Sequence, residues 1–151
     1  MTMKIRTDFV TNSSSSSFIV INGNKGYDEL ECEYGIYFVG VDGETEFGWG
    51  PGSVRDIHSR INFAYLQAMC SGDEKLKMLE KVIKENSDVK TIYYSLSFDY
   101  DCDKKDPTLV WGYIDHQSAC PDNMEMFDSE QELKTFIFGS GSCIVLDNDN
   151  H

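Results

Sequence analysis

The sequence predicts one α+β domain spanning residues 1–151: an antiparallel-dominated sheet of about five or six strands with two to three helices packed on it. The chain is 40% hydrophobic and 13% aromatic, which is typical of a protein with a packed core. Apolar runs and alternating segments predict strands near both ends and in the middle of the chain. Two stretches with helical periodicity lie between two predicted hairpins, and this order of elements is typical of an α+β fold.

The first predicted strand is the apolar run 18–21, Phe-Ile-Val-Ile, which is typical of a buried central strand. Residues 1–17 form a Ser-rich N-terminal segment that ends in five serines at 13–17. Serine hydroxyls bond to the nearby backbone and compete with regular structure, so we interpret the tract as a solvated loop. The alternative is a loop of N–H and O–H donors that holds an anion beside the strand end.

A first hairpin is predicted after a turn-rich segment. A strand over 31–41 is followed by Asp-Gly at 42–43, a two-residue turn signal, and then by a returning antiparallel strand over 44–49. Within the returning strand Glu44 and Glu46 share one face, because side chains alternate between the two faces of a strand. One face of this hairpin is therefore expected to be acidic.

Three helices are predicted from periodicity and from capping residues. The Gly-rich turn 48–52 precedes Ser53, which we interpret as the N-cap of the first helix. Such a turn can hold phosphate at a helix N-terminus, but this one lacks the spacing and the lysine of a phosphate-binding loop, so a capped turn is preferred. A second helix is predicted over 73–86, and Ser129 with Glu132 forms a capping box that opens a short third helix.

A second hairpin is predicted where residues 91–100 alternate in the manner of a strand. Its antiparallel partner is expected over 109–115, across a charged loop. Three aspartates at alternate positions, Asp99, Asp101 and Asp103, match the start of a calcium-binding loop, but a lysine stands where the EF-hand requires glycine. We interpret the loop as a charged hairpin tip and keep a calcium site as the alternative.

The last predicted strand is 143–146, Cys-Ile-Val-Leu, followed by a polar tail over 147–151. Residues 140–150 echo residues 15–24, because in both segments small polar residues precede an apolar run and then asparagine. The echo indicates that the two ends of the chain form neighbouring strands in the middle of one sheet.

Acidic residues dominate the charge, which is −13 overall. Residues 27–50 contain seven acids and no lysine or arginine, and residues 92–151 contain twelve acids against three lysines. Such a field repels nucleic acids and membrane surfaces and attracts basic proteins. The alternative role for the charge is solubility alone. No apolar run reaches the length of about 18 residues that marks a membrane-spanning segment, so none is predicted.

The five cysteines are odd in number and contain no Cys-x-x-Cys pair, which favours reduced thiols in the cytoplasm and no metal or cofactor. A zinc site built from Cys102, His116, Cys120 and Cys143 is the alternative, but zinc ligands usually come in close pairs. No serine-nucleophile elbow, metallohydrolase motif or dinucleotide fingerprint occurs in the sequence. The sequence therefore assigns no catalytic residue and disfavours an enzyme.

Carboxylates interleaved with aromatic residues on two hairpins predict a surface for a basic partner, because aromatic side chains anchor interfaces and carboxylates steer basic groups. The expected function is an acidic protein-binding module. The predicted partner-binding residues are Glu31, Glu33, Tyr37, Glu44, Glu46, Trp49, Asp99, Asp101, Asp103 and Trp111. One alternative is a small ligand- or anion-binding domain, or an enzyme, that uses the serine tract at 13–17 or the turn at 48–53. The other is a structural or regulatory module without such a partner.

Residues 4–18, Lys-Ile-Arg-Thr-Asp-Phe-Val-Thr-Asn followed by five serines and Phe, resemble an opening shared by many small uncharacterised proteins of Firmicutes and of their phages and mobile elements. The string covers about a tenth of the chain. The resemblance implies a cytoplasmic, mobile-element setting and assigns no activity. In that setting the basic partner would be a nucleic-acid enzyme. The module would then be an inhibitor of the anti-CRISPR or anti-defence kind that occupies the enzyme's basic groove.

Overall fold

The computed structural model describes residues 3–5, 15–47, 52–94, 96–98, 110–114 and 124–148. These residues form one α+β domain, which confirms the predicted fold class. The strands are β1 (Met3–Ile5), β2 (Ser15–Asn22), β3 (Ile36–Val39), β4 (Glu46–Phe47), β5 (Gly52–Val54), β6 (Thr91–Tyr94), β7 (Leu96–Phe98), β8 (Val110–Ile114) and β9 (Cys143–Asn148). The helices are α1 (Ile57–Ser71), α2 (Asp73–Glu85) and α3 (Glu130–Phe138), with a 3₁₀ turn at Met124–Phe127.

The largest sheet is antiparallel and has the strand order β1-β2-β9-β5. Its central pair joins the two ends of the chain, with Phe18 opposite Val145, and this confirms the adjacency expected from the sequence echo. Residues 15–17 belong to β2 and pair with residues 146–148, so this part of the serine tract is strand and not loop. Pairing with β9 outweighs the weak local preference of serine, because strand formation depends strongly on context.

The two predicted hairpins are wrong in their pairing. β3 pairs in parallel with β6, which places Phe38 opposite Tyr93, and β4 pairs in parallel with β8. β8 also pairs in parallel with β7, where an antiparallel return was expected. The alternation of side chains is the same in parallel and antiparallel strands, so the pattern that predicted the strands could not give their partners.

The segment after β3 turns away because α1 binds its backbone. The buried Asn62 side chain accepts a hydrogen bond from Gly40 N at 2.9 Å and donates to the carbonyl oxygens of Asp42 and Glu44 at 2.8 and 2.9 Å. The Ser59 hydroxyl accepts a further bond from Glu44 N at 2.7 Å. Four hydrogen bonds therefore attach residues 40–44 to the helix, and the Asp-Gly turn lies against α1 and does not close a hairpin.

Gly43 lies close to α1, so a substitution at this position tests the attachment of residues 40–44 to the helix. Its φ is +80°, and an added Cβ would lie 2.7 Å from Ser59 N. We expect Gly43→Ala to lower the free energy of unfolding by about 2–3 kcal/mol, measured by urea denaturation, because backbone strain and a steric clash add together. Gly26→Ala is the matched control: its φ is +93° with nothing within 4 Å, so only strain of about 1 kcal/mol applies. Equal losses in the two variants would contradict the close contact.

The first helix begins three residues later than predicted. Ser53 lies in β5, opposite Val145, and the N-cap of α1 is Asp56, whose carboxylate accepts a hydrogen bond from Ser59 N at 3.0 Å. Asp56 can replace Ser53 as the N-cap because aspartate caps a helix as well as serine does. Ser53 does not start the helix because its backbone pairs with β9 in the sheet. The predicted second helix is confirmed as Asp73–Glu85, and the predicted capping box is confirmed where Ser129 Oγ accepts from Glu132 N at 3.1 Å.

The core is organised around α1, which is buried along its middle on every side. Phe63 packs edge-on against Phe47, with ring centroids 5.0 Å apart, and lies 6.3 Å from the Phe136 ring of α3. A helix surrounded in this way needs apolar residues on all faces. The fully buried apolar side chains of α1 are Ile61, Phe63, Ala64, Tyr65, Leu66 and Ala68.

Arg60 is a fully buried cation on the same helix. Its guanidinium donates to the carbonyl oxygens of Phe136, at 3.5 Å, and Gly139, and it forms an ion pair with Asp28. The carbonyl groups at the end of α3 carry the negative pole of the helix dipole, which a cation stabilises. Arg60 thus joins α1, α3 and the segment after β2 at one point.

Candidate functional site

A groove opens beside β3 and has a cavity volume of about 660 Å³. Its lining combines carboxylates with aromatic rings, and within the described part of the chain no lysine or arginine lines it. We call it the acidic groove. The carboxylates of the lining are Glu29, Glu31, Glu33, Asp42 and Asp88, and the aromatic residues are Tyr34, Tyr37 and Phe38.

A second cavity of about 290 Å³ adjoins the first. The two share Glu29, Leu30 and Asp88, and the second continues to Asn86 and Ser87 at the end of α2. Because they share these lining residues, the two cavities are neighbours. We include both in the acidic groove.

The carboxylates reach the groove because residues 29–33 alternate between the core and the surface. Leu30 is buried and Cys32 is half-buried against the core, whereas Glu29, Glu31 and Glu33 are exposed. This is the alternation of an extended chain, in which every second side chain points the same way. Burying Leu30 therefore places three glutamates on one side.

A tight turn separates this segment from β3. Ile36 N donates to the carbonyl oxygen of Glu33 at 2.9 Å. Inside the turn Tyr34 has a φ of +55° and Gly35 a φ of +73°. A tyrosine in the left-handed region is uncommon, because its Cβ crowds the backbone there. The ring of Tyr34 is 95% exposed at the rim of the groove.

One wall of the groove is a buried tyrosine–histidine pair. Tyr37 is only 5% exposed, and its hydroxyl is 2.9 Å from His58 Nδ1, with the two rings stacked 5.8 Å apart. Burial first, and then the charges of Asp42 and Asp56, raise the pKa of the Tyr37 hydroxyl well above its ordinary value. The hydroxyl therefore stays protonated at physiological pH, and its hydrogen bond holds the His58 ring in place at the groove.

The opposite face of β3 and β6 carries an exposed aromatic pair. Phe38 is 50% exposed and Tyr93 is 54% exposed, and their rings stack 5.5 Å apart at an angle of 20°. Phe38 also lines the groove, together with the exposed Val41. Exposed aromatic rings grouped beside a cavity are typical of a binding surface, since a lone exposed apolar residue is ordinary but a contiguous patch is not.

The structure separates the predicted partner-binding residues into three groups. Glu31 and Glu33 line the acidic groove, whereas Glu44 and Glu46 are exposed elsewhere and do not line it. Tyr37 lines the groove but is buried, so its ring forms part of the wall and exposes little surface to a partner. Four residues lie outside the described part of the chain, and for Trp111 in β8 only the backbone is described. The four are Trp49, Asp99, Asp101 and Asp103.

Sequence reasoning missed Phe38, His58 and Asp88 as groove residues. Alternation along β3 already implies that Tyr37 and Phe38 face opposite ways, but it does not say which of the two faces the core. His58 and Asp88 reach the groove from α1 and from the segment after α2, and no local pattern links them to β3.

The other predicted sites have less support from the described residues. Residues 15–17 are paired in a strand, and the helix start that would hold phosphate is capped by the carboxylate of Asp56, which repels anions. Among the described residues no group of three or more histidine, cysteine, aspartate or glutamate side chains could hold a metal ion. The aspartate-rich loop after β7 and three of the four candidate zinc ligands lie outside the described ranges.

Cys32 and Cys143 are free thiols, and burial raises the pKa of the Cys143 thiol. Within the described ranges no helix combines the length and the apolar character needed to cross a bilayer.

No protein-family model, curated protein or solved structure matches this chain. The functional conclusion therefore depends on the chemistry of the acidic groove.

Proposed function

We propose that the protein is an acidic binding module that receives a basic segment of a partner protein in the acidic groove. The observation that carries this proposal is the composition of the lining, in which five carboxylates and three aromatic rings meet, with no lysine or arginine among the described residues that line it. Carboxylates attract basic groups and exclude acidic ones, while exposed rings provide the apolar contact that anchors an interface. The net charge of −13 adds long-range steering toward a basic partner.

The class of partner that we propose is a nucleic-acid-binding enzyme, with the module acting as its inhibitor. Two features of the sequence support this class: the acidic charge, and the resemblance of residues 4–18 to mobile-element proteins. Carboxylates of the groove that bind a basic segment of the enzyme take the place of the phosphates that this segment would otherwise contact. We expect duplex DNA to release a partner captured from host lysate, since DNA and the acidic groove would compete for the same basic segment. A captured partner that DNA does not release would contradict the inhibitor role.

The groove itself is tested by two charge-matched double variants. Glu31→Gln with Glu33→Gln removes two carboxylates from the lining, and Glu44→Gln with Glu46→Gln removes two exposed carboxylates outside it. Measured by fluorescence anisotropy with a labelled basic peptide, the first should weaken binding about tenfold. The second changes the net charge equally and should weaken binding less than about twofold.

Salt gives the second readout of the same experiment. Binding to the parent protein should weaken as salt rises, because ions screen exposed charges. The groove variant should show a smaller salt dependence than the control variant. Equal weakening by both variants would mean that only net charge matters, and no binding of the basic peptide to the parent would contradict the proposed function.

A further inference from the structure

We infer that the acidic groove selects arginine over lysine and takes it from an extended segment of the partner. This inference rests on the proposed function and adds to it the identity of the recognised side chain. The occupant to which we commit is an arginine-containing peptide segment of a basic protein.

The presence of two neighbouring cavities favours an extended segment. They share Glu29, Leu30 and Asp88, and their lining residues extend from β3 to the end of α2. Carboxylates lie in both cavities, so successive basic side chains of one extended chain would each meet a negative group. A compact single cation would fill only one cavity and leave the other unused.

The exposed rings favour arginine as the basic group. Tyr34 and Phe38 line the same cavity as Glu31 and Glu33, and one face of the Phe38 ring stacks on Tyr93. A guanidinium is planar and weakly hydrated, so it stacks on a ring while its N–H groups bond to a carboxylate in pairs. An ammonium is a compact, strongly hydrated charge and cannot make both contacts in this way. The pairing of ring faces with carboxylates therefore matches arginine better than lysine.

Tyr34 offers a variant that separates binding from folding. Its ring is 95% exposed, and its φ of +55° is a conformation that glycine adopts without strain. Removing the ring by Tyr34→Gly therefore removes a stacking surface and relieves strain at the same position. We expect the melting temperature of the variant to be equal to or higher than that of the parent.

The experiment compares two peptides of the same length and charge, one with arginine and one with lysine at every basic position. We expect the parent to bind the arginine peptide about fivefold more tightly by calorimetry, a ratio typical of one exposed cation–π contact. Tyr34→Gly should bring the two affinities to within about twofold of each other, mainly because the arginine peptide binds this variant less tightly. Tyr34→Asn, which also tolerates a positive φ, repeats the measurement if the glycine variant folds poorly.

Each outcome has a separate meaning. In one outcome the parent protein binds the two peptides with equal affinity, and Glu31→Gln with Glu33→Gln lowers both affinities. That result would overturn arginine selection and leave the proposed function standing. A preference for arginine that survives both Tyr34 variants would overturn the role of the ring. Failure of both peptides to bind the parent would overturn the proposed function as well.

Discussion

Arg60→Met is expected to lower the free energy of unfolding by about 3–5 kcal/mol, the range found when one partner of a buried ion pair is removed. Methionine keeps a long unbranched side chain, so the loss comes mainly from the guanidinium. Without it the carbonyl groups of Phe136 and Gly139 lose their donor, and Asp28 loses its cation. Burial lowers the pKa of Arg60, and the hydrogen bond to Asp28 opposes this shift, so the pair keeps the group charged inside the protein.

Arg60→Lys and Asp28→Asn are the companions of this variant. Lysine keeps the charge but not the forked set of N–H donors, so Arg60→Lys should lose less stability than Arg60→Met. Because the Asp28 side chain is 38% exposed, Asp28→Asn should also cost less than Arg60→Met. Urea denaturation of Asp28→Asn, of Arg60→Met and of the double variant that combines them should give a coupling energy of about 1–3 kcal/mol between the two side chains. A loss below about 1 kcal/mol for Arg60→Met would show that the core tolerates an apolar residue there.

Asn62→Asp is expected to lower the free energy of unfolding by about 3 kcal/mol at pH 7, although the two side chains have the same shape. The Asn62 amide donates to the carbonyl oxygens of Asp42 and Glu44, and a carboxylate would place negative charge against both. The hydrogen bond from Gly40 N survives the change. The result would show that the two amide donors, and not the volume of the side chain, hold residues 40–44 on α1.

The pH dependence of this variant has a definite sign. Burial raises the pKa of an introduced carboxyl group above its value in the unfolded chain. The penalty is therefore full above the folded pKa and is lost as the pH falls through it, because protonation removes the charge and restores one donor. We expect the stability difference between parent and variant to shrink between about pH 7 and pH 4. A difference that stays constant or grows as the pH falls would contradict the buried position of the group.

A surface variant serves as the control for Asn62→Asp. Asn86 is exposed at the end of α2, and its amide donates to Val82 O at 2.8 Å. Asn86→Asp should cost less than about 1 kcal/mol, because water compensates an exposed group. Asn86 itself lines the second cavity of the groove, so Asn86→Asp is a control for stability only and not for binding.

The sequence by itself determined the features that depend on neighbouring residues. These include the α+β class, the second and third helices, and the capping box of Ser129 and Glu132. The helices and the capping box follow from contacts within about four positions along the chain, which a local pattern of residues indicates directly. The echo between residues 15–24 and 140–150 also indicated the central strand pair of the largest sheet correctly. Glu31 and Glu33 were predicted as site residues, and both line the acidic groove.

Only the tertiary structure decided the partners of the strands outside that central pair and the direction in which each side chain faces. Asn62 and Ser59 hold a turn about 20 positions away in sequence, and this attachment replaces the expected hairpin. The same packing turns Tyr37 inward and Phe38 outward, and so determines which ring the groove can use. The alternation of apolar residues and the runs of charged residues are the same whichever strand lies alongside. They depend on the residues of one segment and carry no information about its partner. The groove exists only where distant segments meet, and for that reason His58 and Asp88 could not be found from the sequence.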